Sequence, residues 1–334
     1  MRVIVRIIGI FVLLGTLLLG ILWNDYRTFT NQAIVTEAPI ILEVVKGSSF
    51  QRIMNRLSYQ APAADSIWFK ILAHKEGLAT QLKAGEYKLA VGLKPLGFLL
   101  QLSEGKVMQH SLTFPEGWNF KQLRQVLAEN SDLKHTIEST SDKDILQKIG
   151  SKESHPEGLF FPDTYHFEKN TTDLVILKKA YFKMQKVLNY QWQNRTSGLP
   201  LKTAYQALIL ASIIEKETGV VYERPVISGV FIRRLKKGMR LQTDPTVIYG
   251  MGENYKGNIR KSDLRTLTAY NTYRINGLPP TPIAMPGQHA IHSALHPDKG
   301  DSIYFVAKGD GSHQFSATLN QHNNAVNKFQ RKRK

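Results

Sequence analysis

Arg2 and Arg6 lead into IIGIFVLLGTLLLGILW, an uncharged run of 17 residues from Ile7 to Trp23. In hydrocarbon a single segment like this has one backbone solution, a helix, because each peptide N–H and C=O must find its partner within the segment. Its length is at the short end for a bilayer span, and Val3 to Val5 can extend it. No small-x-small cleavage site follows, and the chain has no cysteine for a lipid anchor of the bacterial type. The run is therefore expected to persist as an uncleaved signal anchor. The two arginines place residues 1–6 in the cytoplasm, residues 7–23 across the membrane and everything later outside it. A buried core helix is the competing reading, and the length and flanks of the run disfavour it.

That placement decides how the charge is read. The net charge is +17, and Lys328, Arg331, Lys332, Arg333 and Lys334 form a basic tail. In a cytoplasmic protein such an excess suggests nucleic acid. Outside the membrane the available anions are lipid headgroups and cell-wall polymer, so no nucleic-acid partner is expected; a merely solubilising tail is equally compatible. The absence of cysteine removes disulfides, thiolate nucleophiles and zinc–thiolate sites. A hydrophobic content of 42% predicts ordinary globular cores beyond the anchor.

Residues 24–39 read as a polar linker, whose sixteen residues could reach at most ~55 Å fully extended. Ile40–Val45 reads as a strand closed by Gly47, with Ser48 or Ser49 capping a helix through Leu57. A second helix over Asp65–Glu76, a strand over Ala84–Val91 and a third helix over Leu93–Ser103 ending at Gly105 follow. ILEVVKGSSFQRIMNRL (41–57) then aligns without gaps on SLTFPEGWNFKQLRQVL (111–127), 70 residues later. Gly47, Phe50, Ile53 and Leu57 match Gly117, Phe120, Leu123 and Leu127, a strand, a glycine turn and a helix with one apolar face. Two small β-α modules are expected, 40–108 and a connector module at 109–154. The first resembles a LysM module, a β-α-α-β glycan-binding unit.

From His155 the texture changes. PEGLFFPDTYHF is rich in turn formers; Asp173–Trp192, Leu201–Thr218 and Val221–Lys237 read as helices; Gln288–Leu295 is a short one. SIYFVAKG and HQFSA form a hairpin around Asp310-Gly311, and His322–Phe329 ends the fold. The fold class is α+β: a transmembrane helix, small LysM-like modules, then a mixed α+β catalytic domain over 155–330. Residues 241–287 read as a loop too long to be an inert connection.

Several chemistries are absent from the pattern. There is no P-loop, no dinucleotide fingerprint around Gly250–Gly252, and no nucleophile elbow; Ser212 is expected to bond backbone within its helix. His289, His292 and His296 fall at helical spacing, with His313 and His322 beyond, but no H-E-x-x-H occurs, and solvated or hydrogen-bonded histidines are the default. Carboxylates remain. ALILASIIEKETG is apolar on nearly every side before Glu215 and Glu217. Glu217 follows Leu210, Ile213 and Ile214 at spacings 7, 4 and 3, whereas Glu215 follows Ala211 and Ser212. Glu217 thus extends the bulkier stripe at a helix C-terminus, where dipole and desolvation both raise a carboxyl pKa. Two exposed acids on a fraying turn is the bland alternative on these residues alone.

ASIIEKETG, RLKKGMRLQTDPTVIYGMG, AYNTYRINGLPPTPIAMPG and IYFVAKGDGSHQFSATLNQHN, in that order, resemble the YceG-like endolytic murein transglycosylases (MltG). The anchor and the FPEG motif at Phe114–Gly117 agree. The resemblance implies that Glu217, the second glutamate of E-K-E, is catalytic; it carries no catalytic role over to Glu215, which is expected to be a structural or supporting residue. It implies cleavage of the β-1,4 bond between N-acetylmuramic acid and N-acetylglucosamine within peptidoglycan strands, leaving 1,6-anhydromuramyl ends. The sugar's own 6-hydroxyl attacks, so one glutamate suffices and no metal or cofactor is needed. Expected partners are peptidoglycan strands and the membrane, with peptidoglycan synthases as further candidates, at a bacterial inner membrane with the folded part in the periplasm. Gln242, Asp244, Tyr270, Asn271 and Tyr273 are candidate sugar-binding residues, loop-pinning being the alternative. Glu157 and Asp163 could reach a cleft, turn capping being the simpler role. Two other readings stay open: a non-catalytic, membrane-anchored peptidoglycan-binding scaffold, and a metal-dependent hydrolase using the histidines.

Overall fold

The computed structural model describes residues 2–64 and 67–331; the last three residues of the basic tail and Asp65, the expected first residue of the second helix, lie outside them. The protein is mixed α+β behind an N-terminal apolar helix, and it divides into two compact units.

The first unit runs to His110 and takes in Phe167–Lys169. Helix α1 spans Arg2–Asn31, and none of its most apolar stretch is buried by protein. The expected linker over 24–39 is therefore helical as far as Asn31. The physical reason is a docking contact: Phe29 is buried and stacks edge-on to Phe69 at 4.9 Å, with Ile34 and Val35 buried beyond it. The eight residues after Trp23 rise only about 12 Å as helix, so the anchor continues into this unit without a flexible tether.

Strand β1 (Ile40–Val44) is followed by α2 (Phe50–Gln60), which Ser49 caps, its hydroxyl accepting the Arg52 amide. Next come α3 (Ile67–Lys75) and β2 (Gly85–Leu89), which pairs antiparallel with β1 from Ile40↔Leu89 to Val44↔Gly85. Helix α4 (Pro95–Glu104) closes on Gly105 at φ 74°. The core gathers Leu42, Leu57, Phe69, Tyr87, Phe98 and Leu102. Buried Glu86 receives Lys169 Nζ and pairs with His110 Nε2, each at 2.8 Å, and the Lys169 bond holds its carboxyl below the usual range.

The second unit contains the rest. Strand β3 (His110–Thr113) pairs with β4 (Thr164–Phe167), which the turn-rich sequence had hidden. Helix α5 (Phe120–Glu129) starts at a capping box of Asn119 and Gln122. Asn119 sits 70 residues after Ser49, so the repeat extends to the caps. Helix α6 (Asp142–Ile149) precedes β4 in the chain, and α7 (Asp173–Gln193) follows it. Helix α8 (Ala204–Glu217), capped by Thr203, is buried on every side from Ala207 to Ile214. It packs between α7, α9 (Arg224–Lys236) and α12 (Gln288–Leu295). The long segment before α12 holds two short helices, α10 (Asp244–Met251) and α11 (Lys261–Arg265). The hairpin of β5 (Tyr304–Ala307) and β6 (His313–Ser316) and helix α13 (Leu319–Val326) complete the unit.

Candidate active site

Helix α8 is anchored so firmly that its last turn becomes a fixed platform. Ser212 donates its hydroxyl to Ile209 O (2.7 Å) and accepts the Ile283 amide (3.0 Å), as a backbone-bonding serine should. Glu215 Oε1 accepts from Arg224 Nη2 and its Oε2 from the Gly287 amide, at 2.8 and 2.9 Å. Desolvation raises the Glu215 pKa, opposed by the Gly287 amide and the Arg224 charge. The FPEG turn joins the same knot: Gly117 N donates to Met285 O, Met285 N donates to Trp118 O, and Lys216 Nζ donates to Gly117 O.

Two residues later, Glu217 turns into a cavity of about 530 Å³. Its Oε1 accepts the Thr243 hydroxyl. Burial pushes its carboxyl up to about 7 despite that bond; the Asp244 charge adds to the rise, and His313 and Arg234 oppose it. The opposite wall comes from the β5–β6 hairpin and α13, with Tyr304, His313, His322 and Asn323 facing the space.

The wall carrying Thr243 is held from behind. Arg234, on α9, donates through Nε to Ile303 O (2.7 Å) and through Nη1 to Leu241 O (2.8 Å). Gln242 next to it adopts φ 53°, a conformation that costs a non-glycine residue energy. Thr272 and Thr246 close the turn, Thr272 Oγ1 accepting the Thr243 amide at 3.0 Å and lying 2.9 Å from Thr246 Oγ1. Asp244 accepts the Tyr273 hydroxyl at 2.6 Å. His313 is held by Glu223, only 3% exposed, which accepts the His313 amide at 2.8 Å and pairs with Nδ1 at 2.7 Å.

The family model described as the YceG-like family matches residues 42–328. The endolytic murein transglycosylase of Bacillus subtilis strain 168 is 32% identical over 345 aligned positions, covering 97% of this chain and 91% of that protein. This chain belongs to the YceG-like family. The Streptococcus pneumoniae R6 protein of the same name is 27% identical across 80% of this chain, which spans 54% of that longer protein. The crystal structure of a yceG-like protein from Listeria monocytogenes superposes with a TM-score of 0.54 at 30% identity, covering 86% of this chain and 98% of that one.

Of the residues singled out in sequence, this YceG-like chain brings Glu217, Gln242, Asp244 and Tyr273 to one cavity. Tyr270 and Asn271 are not among its lining. Tyr270 OH pairs with Thr281 Oγ1 at 2.9 Å. Asn271 is 1% exposed; its Nδ2 donates to the carbonyls of Asp263, Leu264 and Thr266 while its Oδ1 accepts the Tyr273 amide. Asn271 is thereby engaged in pinning the loop. Glu157 is buried against the Phe120 amide and the Tyr249 hydroxyl, and Asp163 binds the Thr164 amide and pairs with Lys183. His292 pairs through Nδ1 with Gln191 Oε1, and His296 is bound to Asn194 O and His292 O. Among the described residues no three histidines or carboxylates form a metal-holding group.

Thr243, Arg234 and Glu223 escaped the sequence reading as site residues, whereas His313 and His322, named there among the histidines of a metal-dependent alternative, line the cavity. Arg234 is one of five cations in the segment read as a helix over Val221–Lys237, and no local pattern sets it apart from the others. The T-D-P string is itself a helix-start signature, which would have pointed to α10 and to Thr243 at its cap.

Proposed function

We infer that this protein is an endolytic murein transglycosylase that cleaves the β-1,4 bond between N-acetylmuramic acid and N-acetylglucosamine within peptidoglycan strands, with Glu217 as its acid and base. The observation that carries the assignment of Glu217 is its position: a carboxyl with a pKa of about 7, held by a neutral hydroxyl, facing an open cavity. A group of that pKa is populated in both proton states near neutrality, as a residue that must first give and then take a proton requires. Protonated Glu217 donates to the glycosidic oxygen, the C1–O4 bond breaks, and the N-acetylglucosamine 4-hydroxyl leaves. The resulting carboxylate then takes the proton of the muramyl 6-hydroxyl as O6 bonds to C1. No water enters, and the 1,6-anhydro ring closes. Gln242, Asp244 and Tyr273 line the path a glycan would take, and the Glu223–His313 pair sets the opposite wall.

The first unit is proposed as a LysM-like glycan-binding module, supported by its β1-α2-α3-β2 order and antiparallel strand pair. Residues 7–23 are proposed to cross the inner membrane, with the arginines at positions 2 and 6 inside and both folded units in the periplasm. Cleavage would then take place close to the membrane, in reach of nascent strands.

Incubation of the chain with purified peptidoglycan strands tests the reaction. The expected products are fragments of internal cleavage ending in anhydromuramyl groups. Reducing ends, one water heavier, would instead make Glu217 and Asp244 a hydrolytic pair. Strand binding without new ends would leave only the scaffold.

A further inference from the structure

Helix α3 carries its own apolar face on the outside of the first unit. Ile67 and Ile71, one turn apart, are 69% and 43% exposed, while Phe69, Leu72 and Ala73 on the other side are buried in the core. This face does not stand alone. Trp68 and Ile71, together with Lys75, form one side of an apolar groove of about 380 Å³, and Leu19, Leu22, Trp23 and Tyr26 of α1 form the other. Trp68 Nε1 donates to Asp25 at 2.9 Å, its ring meets Tyr26 edge-on at 5.5 Å, and Lys75 Nζ sits 5.8 Å from the Tyr26 ring.

The depth of this groove follows from α1. Trp23 ends the uncharged run, and Tyr26 is one turn further on, so the groove lies where a membrane helix leaves hydrocarbon for headgroups. Trp and Tyr concentrate at that level because their rings are apolar and their N–H or O–H is polar. A lysine one turn beyond Ile71 can lay its stem on the apolar surface and hold its ammonium among phosphates. Because α1 enters the unit as an unbroken helix fixed by Phe29, α3 cannot drift away from this level on a slack tether.

We propose that α3 is a second membrane contact: its Ile67–Trp68–Ile71 face inserts into the interfacial layer of the outer leaflet of the inner membrane, with Lys75 directed to lipid phosphates, so that the first unit lies seated on the bilayer. The occupant is the lipid surface, because the face is continuous with the membrane-spanning surface of α1. The inference rests on α1 spanning the membrane.

The chain has no cysteine, so single labels are clean. Full-length Leu13→Cys, Ile71→Cys and Tyr59→Cys proteins, each carrying an environment-sensitive fluorophore, are placed in nanodiscs of phosphatidylethanolamine and phosphatidylglycerol. Position 59, on α2 and 92% exposed, serves as the water reference. Quenching by lipids spin-labelled near the headgroup should be several-fold stronger at position 71 than at 59, with iodide quenching correspondingly weaker. Equal iodide access at 71 and 59 overturns the proposal while quenching at 13 upholds the anchor. Shielding of 71 from iodide without lipid quenching also overturns it, by showing that protein covers the face. A label at 13 outside lipid overturns both readings.

Discussion

Arg224 holds Glu215 in a buried ion pair at 2.8 Å, with side chains 6% and 5% exposed. Two residues along the same helix, Glu217 has, among the described residues, only the hydroxyl of Thr243 as a hydrogen-bond partner. One carboxylate is neutralised in place, and the other is left able to take a proton. Exchange of each for glutamine should separate the two roles. Glu217→Gln should lower the turnover rate on peptidoglycan by ~10²–10⁴-fold with the melting temperature kept or raised. Glu215→Gln leaves buried Arg224 with the more exposed Glu116, 3.7 Å away, as its remaining counter-ion and should cost up to roughly 3 kcal/mol of stability, read by thermal unfolding in detergent. The opposite pattern would exchange the assignments.

The acid form of Glu217 should also set the pH dependence of the reaction. Its carboxyl titrates near 7, so kcat/KM should fall on the alkaline side from about that pH. Thr243→Val removes a bond that favours the ionised form and should move this limb upward; Asp244→Asn removes the repulsion and should move it downward. Displacements of about one pH unit in opposite directions are expected. Two profiles that move together, or not at all, would mean that another group governs the limb.

Glu157 makes a prediction about stability that is independent of catalysis. Burial lifts its carboxyl to about 7, against bonds from the Phe120 amide and the Tyr249 hydroxyl. With the folded pKa above the unfolded value of 4.5, the native state holds the proton more tightly. The contribution is complete below about 4.5 and is lost as pH rises to about 7, amounting to about 3 kcal/mol. Glu157→Gln keeps one of the two acceptor oxygens and removes the titrating charge, so its melting temperature should vary less between pH 5 and pH 8 than that of the parent protein. An unchanged slope would refute this.

Much of this was legible in the sequence because it was local. The repeat at 70 residues is written in a glycine, a cap and an apolar helical stripe, and each recurs in space as Gly47 and Gly117, Ser49 and Asn119, Leu57 and Leu127. Glu217 could be told from Glu215 by helical spacing. What stayed hidden depends on partners far along the chain. Arg234 binds carbonyls at 241 and 303, and His313 pairs with a glutamate 90 residues away. The extension of α1 past Trp23 was hidden too, because polar residues conceal a helix whose stability comes from Phe29 docking on Phe69.

Gln242 offers the sharpest test of whether the cavity wall was shaped for glycan binding. Its φ of 53° is a left-handed conformation, and Arg234 Nη1, 3.4 Å from its side-chain oxygen, helps to hold it there. Glycine adopts that conformation without the steric cost, so Gln242→Gly should be neutral or stabilising by roughly 1 kcal/mol. The same change deletes an amide that lines the cavity beside Glu217. If that amide binds sugar, the variant should gain stability while its KM for glycan strands rises several-fold, with the alkaline limb of the pH profile unmoved. Gln242→Asn, which keeps an amide and tolerates the left-handed region, should fall between the two. Wild-type KM in the glycine variant would reduce Gln242 to a turn residue and leave Asp244 and Tyr273 as the remaining candidate sugar-binding groups of that wall.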